Sequence, residues 1–216
     1  RLAVQGDRAR FDRVILEGVP GARFHNGGRI AFGPDGMLYV GTGEIFDAPR
    51  AQVTADLGGK ILRVTPEGAV PGDNPDPGSP VWSLGHRNVQ GLAFHPESGD
   101  LFASEHGPSG EFGLRAYDEV NVIRRGGNYG WPLAVGAAGD RRWTDPILAW
   151  PDEATPPAGA AFWQGHLFVA TLRSQALLRI ALARDTAGSW RATAVERWFA
   201  DGSAQPFGRL RDAVAG

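Results

Sequence analysis

Three short segments concentrate polar side chains where a structural turn would not need them: Phe24-His25-Asn26-Gly27-Gly28, Gly85-His86-Arg87-Asn88 and Ser104-Glu105-His106-Gly107-Pro108. Histidine is the side chain whose neutral form accepts a proton near pH 7, so His25 is a candidate general base. A guanidinium such as Arg87 stabilises negative charge that develops on a nearby oxygen. Asp118-Glu119 supplies carboxylate oxygen, the ligand type that a hard cation such as calcium takes. Each group also has a plainer reading. His25 can be a hydrogen-bonded packing residue, Arg87-Asn88 a salt bridge beside an Asx turn, Gly107-Pro108 a turn and Asp118-Glu119 a solvated acidic pair. His95 and His166 fall in turns and are expected to be exposed, and Trp131, Trp143, Trp150 and Trp163 to be packing groups.

The elements that would position these segments announce themselves by repetition. Gly28-Arg29-Ile30-Ala31-Phe32-Gly33-Pro34-Asp35-Gly36 leads into Met37-Leu38-Tyr39-Val40, and Gln90-Gly91-Leu92-Ala93-Phe94-His95-Pro96 leads through Gly99 into Leu101-Phe102-Ala103. A weaker copy runs from Gly159-Ala160-Ala161-Phe162-Trp163 through Gly165 into Leu167-Phe168-Val169. Each copy reads as strand, tight turn, strand, with glycine supplying the positive φ that a hairpin turn needs. The spacing predicts strands near 29–33, 37–42, 91–95, 100–104 and 166–171, with further strands at Lys60–Val64, Pro80–Leu84, Glu119–Ile123, Ala176–Ala181 and Ala194–Phe199. No segment keeps a helical apolar period for three turns. About four strands per repeat fits an all-β β-propeller, in which rim loops from different blades converge on a central channel. Gly208 to Val214 reads as the opening strand of a fourth hairpin, so residues 1–216 are expected to form a single propeller domain cut at both ends.

Composition bounds the function. Of 216 residues, 42% are hydrophobic and 21% charged, which suits a packed globular chain. The net charge of -2 argues against a nucleic-acid partner held by phosphate neutralisation. No apolar run is long enough for a membrane span, and residues 1–13 lack the apolar core of a signal peptide. The absence of cysteine removes disulfides, thiolate catalysis and Cys-ligated zinc. Lys60 is the only lysine among 22 basic residues, so any basic anion grip would be built from arginine forks.

Six runs, taken in order, resemble the pyrroloquinoline quinone (PQQ) dependent sugar dehydrogenases, and within them the aldose sugar dehydrogenase branch of the soluble glucose dehydrogenase family. They are His25-Asn26-Gly27-Gly28-Arg29, Leu57-Gly58-Gly59-Lys60-Ile61-Leu62-Arg63, Gly85-His86-Arg87-Asn88-Val89-Gln90-Gly91-Leu92-Ala93-Phe94, Glu105-His106-Gly107-Pro108, Asp118-Glu119-Val120-Asn121 and Gly126-Gly127-Asn128-Tyr129-Gly130-Trp131-Pro132. The resemblance implies a six-bladed propeller of which this chain covers interior blades, with PQQ and Ca²⁺ at the channel mouth.

By the same resemblance, His25 matches the base that takes the proton of the anomeric hydroxyl while hydride passes to the quinone. Arg87 matches the group facing the quinone oxygen, and Asn88 its neighbour on the cofactor. Arg209 and Arg211 match a pair that grips cofactor carboxylates, and Arg173 a cationic position on the quinone. Gly107 and Pro108 match the carbonyls that hold the cofactor calcium, whereas Glu119 and the carbonyl of Tyr129 match part of a second, structural calcium site. A sugar substrate, an external electron acceptor and a periplasmic or secreted location are implied as well. His106 stands where the glucose branch tends to have Gln, and loops around the pocket are short, which implies broad aldose specificity. Two other functions fit a propeller: a sugar lactonase using a metal held by side-chain carboxylates and amides, and a binding module without a cofactor.

Overall fold

A computed structural model describes residues 1–200 and 207–216. A small hairpin of β1 (Leu2–Gln5) and β2 (Arg8–Phe11) precedes three four-stranded antiparallel sheets, each a simple meander in chain order. The first sheet holds β3 (Gly27–Phe32), β4 (Leu38–Thr42), β5 (Lys60–Val64) and β6 (Val81–Leu84). The second holds β7 (Val89–Phe94), β8 (Leu101–Glu105), β9 (Asp118–Ile123) and β10 (Leu148–Trp150). The third holds β11 (Pro157–Trp163), β12 (His166–Thr171), β13 (Leu177–Arg184) and β14 (Trp190–Trp198). Among the described residues the helical segments are two short 3₁₀ turns, Ala48–Gln52 and Glu111–Gly113. No helix is long and apolar enough to cross a membrane among them.

The repeated phrase forms the first hairpin of each sheet, closing at Phe32↔Leu38, Phe94↔Leu101 and Trp163↔His166. The turn glycines Gly36, Gly99 and Gly165 adopt the expected positive φ of 74°, 73° and 75°. The phrase also joins one sheet to the next. Phe94 packs edge-on against Tyr39 of the preceding sheet with ring centroids 5.1 Å apart, and Phe162 packs against Phe102 in the same way, also at 5.1 Å. Burying part of such an aromatic contributes on the order of 1–2 kcal/mol. Phe32, the equivalent in the first sheet, stays 62% exposed. Between the first two sheets lies a core of Ile61, Val89, Leu92, Leu101 and Ile123, and between the second and third one of Phe102, Val120, Leu167, Val169, Leu178 and Ile180.

Three expectations need correction. His95 is half-buried rather than exposed, because it fills the seam between Phe162 and Trp190 with centroids 5.0 and 4.8 Å away. His166 is half-buried too, its Nε2 meeting Arg179 of the neighbouring strand at 2.7 Å. Gly208 to Val214 is not assigned as a strand: it is bonded at two points, Leu210 N–H to the Thr171 carbonyl and Gly159 N–H to the Arg211 carbonyl, without building a continuous ladder.

Candidate functional site

The loop before β3 and the loop after β4 meet at one end of the first sheet. Ile45 N–H donates to the His25 carbonyl at 3.1 Å, and Glu44 N–H donates to the Arg87 carbonyl at 3.0 Å, so backbone bonds tie three sequence-distant segments together. Gly43 permits this approach, since a Cβ there would lie 2.0 Å from the His25 carbonyl oxygen. His25, Ile45 and Phe46 all take left-handed backbone conformations, with φ of 52°, 55° and 68°. For a β-branched residue such as Ile45 that is a costly geometry, and a cluster of such residues is characteristic of functional sites.

His25 Nδ1 lies 2.6 Å from Glu44 Oε1, while Glu44 Oε2 accepts the Phe46 N–H at 2.8 Å. Glu44 is 1% exposed. With the carboxylate as acceptor, Nδ1 carries the proton and the imidazole presents the Nε2 lone pair outward. Phe46 stacks on the ring at 4.3 Å and fixes its plane. The pair is therefore built as an oriented proton acceptor.

Arg87 is 2% exposed and uses its whole fork. Nε donates to Glu111 Oε1 at 3.1 Å, Nη2 donates to the same oxygen, and Nη1 donates to the His106 carbonyl at 3.2 Å. The guanidinium also lies over the Trp131 ring at 5.4 Å, so this tryptophan faces the site rather than serving only blade packing. Burial tends to raise the Glu111 carboxyl, but the hydrogen bonds from Arg87 and Ser109 hold it below the ordinary value. Ligand atoms of Glu111, Glu44 and His25 fall within 4.8 Å of one another, which puts His25 and Arg87 on the same rim. His106 donates from Nε2 to the Pro157 carbonyl at 2.7 Å, and its pKa is pushed down to about 4, chiefly by burial and further by the nearby Arg87 guanidinium, against the raising effect of that hydrogen bond.

Beside this rim lies a cavity of about 20 Å³, room for one water or small ion, lined by Arg87, Glu105, Gly107, Pro108, Glu119 and Tyr129 among others. Gly107 is sterically required, since a Cβ would lie 2.1 Å from the Ala116 carbonyl oxygen; its N–H donates to Asp118 Oδ1 at 3.0 Å. Burial pushes the Glu105 carboxyl up to about 7, and burial together with the neighbouring Glu105 raises Glu119 well above the usual range. Asn121 Nδ2 donates to Glu119 Oε1 at 3.0 Å, but Asn121 Oδ1 is buried without a partner. The two buried carboxylates offer oxygen donors of the kind calcium takes, and Asn121 turns its Nδ2 rather than its Oδ1 toward both of them.

The remaining candidates are distributed differently. Asn88 Oδ1 is occupied by Gly27 N–H at 3.1 Å and Gln90 Nε2 at 3.0 Å, so this side chain latches the His25 loop. Arg173 is exposed and lines a separate groove with Arg115, Asp152 and Glu153. Arg209 and Arg211 are exposed on the segment whose Asp212 pairs with Arg29 at 2.8 Å. Arg29 Nε also donates to the Gln90 carbonyl at 2.9 Å, so that pair ties the segment to the first and second sheets.

Sequence reasoning missed Glu44, Glu105 as a partner of His86, and Glu111. For the first two a signal was present, since Glu105 follows Glu44 by the same 61 residues that separate His86 from His25. Glu111 follows no such period.

The model of the glucose/sorbosone dehydrogenase family matches residues 1–216. The aldose sugar dehydrogenase YliI of Escherichia coli is 34% identical over 74% of the chain and 48% of its own length. Among solved structures, a Thermus thermophilus oxidoreductase described as a glucose dehydrogenase superposes with a TM-score of 0.91 at 51% identity, covering 100% of this chain and 64% of its own. The PQQ-bound aldose sugar dehydrogenase of Streptomyces coelicolor gives a TM-score of 0.84 at 43% identity over 96% of this chain and 57% of its own. The chain spans about half the length of the curated relatives it matches.

Proposed function

The chain belongs to the glucose/sorbosone dehydrogenase family, and from that premise we propose that it carries the catalytic rim of a PQQ-dependent aldose dehydrogenase that oxidises sugars at the anomeric carbon to lactones. Residues 1–216 form one β-propeller unit within a six-bladed ring. The observation that supports this reading best is the His25–Glu44 pair, oriented with Nε2 open, on the same rim as a buried arginine.

His25 Nε2 takes the proton of the anomeric hydroxyl as the C1–H electron pair departs with hydrogen as hydride and the C1–O double bond forms. Glu44 stabilises the resulting imidazolium and keeps the tautomer fixed. When bound, the quinone supplies the hydride acceptor. Arg87 balances negative charge on the cofactor oxygen, with Asn88 beside it through its amide group, and Arg173, Arg209 and Arg211 supply charge for a tricarboxylate. The donor set fits an anion: Arg87 is a buried guanidinium on the same rim as His25, and Arg209 and Arg211 are exposed cations on the segment bonded to β11 and β12. The Gly107 and Pro108 carbonyls hold the cofactor calcium, and Glu119 with the Tyr129 carbonyl a structural one. An external acceptor receives the electrons, and the protein works in the periplasm or outside the cell.

The test is reconstitution of the full-length protein with PQQ and Ca²⁺, followed by dye reduction with a panel of aldoses. Aldose-dependent reduction that requires both additions is expected, as is weaker PQQ loading in Arg209→Ala or Arg211→Ala. Hydrolysis of a sugar lactone with no dye reduction would overturn the reading in favour of a lactonase.

A further inference from the structure

Arg87 is the cation this site offers most deeply, yet the side of its fork that carries Nε and Nη2 is taken by a carboxylate from its own chain. Both donors converge on Glu111 Oε1, the Ser109 N–H donates to Glu111 Oε2 at 2.6 Å, and the third arm, Nη1, is held by the His106 carbonyl. Nε and Nη2 both face the Glu111 carboxylate, Nη2 also meets Ser109 Oγ at 3.4 Å and Trp131 lies against the guanidinium, so an anion that takes the Nε–Nη2 edge takes the place of that carboxylate.

The segment carrying Glu111 is a poor anchor for a permanent ion pair. Its 3₁₀ turn spans Glu111–Gly113, and Gly110, Phe112 and Gly113 all have positive φ, at 132°, 55° and 74°. Phe112 at its tip is 68% exposed. An isolated bridge between Ser109 and Arg115 closes its base. Besides the Glu111 pair, the turn is held by Phe112 against Trp131, with ring centroids 5.8 Å apart, and by Ser109 Oγ, which accepts from Arg87 Nη2 at 3.4 Å; none of these belongs to a sheet ladder, so the carboxylate can leave Arg87 without unfolding a sheet. Orienting Arg87 does not require Glu111, because the His106 carbonyl and Trp131 already fix the guanidinium from two other directions.

We infer that Glu111 is an affinity-determining residue of this site: its carboxylate competes with the anionic cofactor for the Nε and Nη2 donors of Arg87, so its charge weakens cofactor binding. This rests on the PQQ reading above. Loading then exchanges one anionic partner of Arg87 for another, and the 109–115 turn moves aside as it happens. The balance between the two anions sets the cofactor dissociation constant, independently of any later step in turnover.

The sign of one measurement decides between competition and support. PQQ is titrated, in the presence of Ca²⁺, into the full-length wild-type protein and into Glu111→Gln and Glu111→Ala, with binding followed by quenching of tryptophan fluorescence. Competition predicts that both variants bind PQQ more tightly, by about five- to tenfold, the effect expected for removing one partly screened charge from the site. Cleavage by a protease within 109–115 should also rise when PQQ is added to wild type, because the turn loses its tie to Arg87. Unchanged or weaker PQQ binding in folded variants overturns the inference while leaving the PQQ reading intact. Failure of folded wild type and both variants to bind PQQ at any concentration overturns the PQQ reading itself, and the inference with it.

Discussion

His25 and His86 occupy equivalent places in consecutive sheets, each just before a first strand, and each meets a glutamate 19 residues later through Nδ1. The two pairs nevertheless have opposite surroundings. His86 is fully buried, with Nε2 held by Ser83 Oγ at 2.9 Å and its ring stacked on Tyr129 at 4.6 Å, and burial pushes its pKa down to about 3. His25 keeps Nε2 toward the rim and sits on a strained backbone. The repeat supplies a histidine–carboxylate pair at both places; what differs is whether Nε2 has a partner inside the protein. A histidine with both nitrogens satisfied in the core is a packing element, and one with a single satisfied nitrogen at a cleft can exchange a proton.

The strongest way to break this comparison is to delete each imidazole. His25→Ala should lower kcat of the reconstituted protein by about 10²- to 10⁴-fold, the usual worth of a general base, with little change in Tm or PQQ affinity. His86→Ala should do the reverse: a loss of about 3 kcal/mol or more in stability from the cavity and the unpartnered Ser83 and Glu105, with kcat retained in the folded fraction. Should His86→Ala instead lose turnover at unchanged Tm, the assignment of roles to the two pairs would be reversed.

How much of this could be read in the residues follows from the same contrast. The hairpins were legible because glycine turns and the Ala-Phe phrase act locally, and Phe94 and Phe162 then repeat one packing contact on Tyr39 and Phe102. His25 and Arg87 were legible as polar groups in glycine-rich loops. Glu111 was not, because a carboxylate's role depends on which hydrogen bond it accepts across the fold and Arg87 lies 24 residues away; Glu44 could be found only through the repeat that pairs it with His25 as Glu105 pairs with His86. Asn88 stood out by its place beside Arg87, whereas the tie of its Oδ1 to the Gly27 N–H and Gln90 could not be read there, because it forms only across the fold.

The carboxylates sharpen the comparison with pH. Burial raises Glu105 from 4.5 to about 7, so the folded protein holds a proton there that the unfolded chain releases. The stability this contributes is fully present below about pH 4.5 and is lost as pH rises through about 7. His86 opposes that trend over part of the range, because its depressed pKa makes acid destabilising between 6.5 and about 3. The difference between wild type and Glu105→Gln isolates the carboxyl. In metal-free buffer, wild type should lose stability relative to Glu105→Gln by up to about 3 kcal/mol between pH 4.5 and 7. Denaturant melts at several pH values would read this directly, and a difference flat with pH would show that Glu105 stays ionised in its buried setting.

Ser83 carries the smallest effect and the most specific one. Its Oγ meets His86 Nε2 and is fully buried, so it is the group that closes, in the second pair, the position left open in the first. A neutral His86 that donates Nδ1–H to Glu105 must accept at Nε2, and the Ser83 hydroxyl is then the donor. Ser83→Ala removes that donor and leaves a buried nitrogen unpaired, a change worth about 1–2 kcal/mol. Tm should therefore fall modestly, whereas kcat, PQQ affinity and the effect of His25→Ala stay as they were, because nothing on the rim depends on this bond. If Ser83→Ala left stability unchanged but altered turnover, His86 would be in communication with the reacting sugar, and the distinction between an inward and an outward Nε2 would fail.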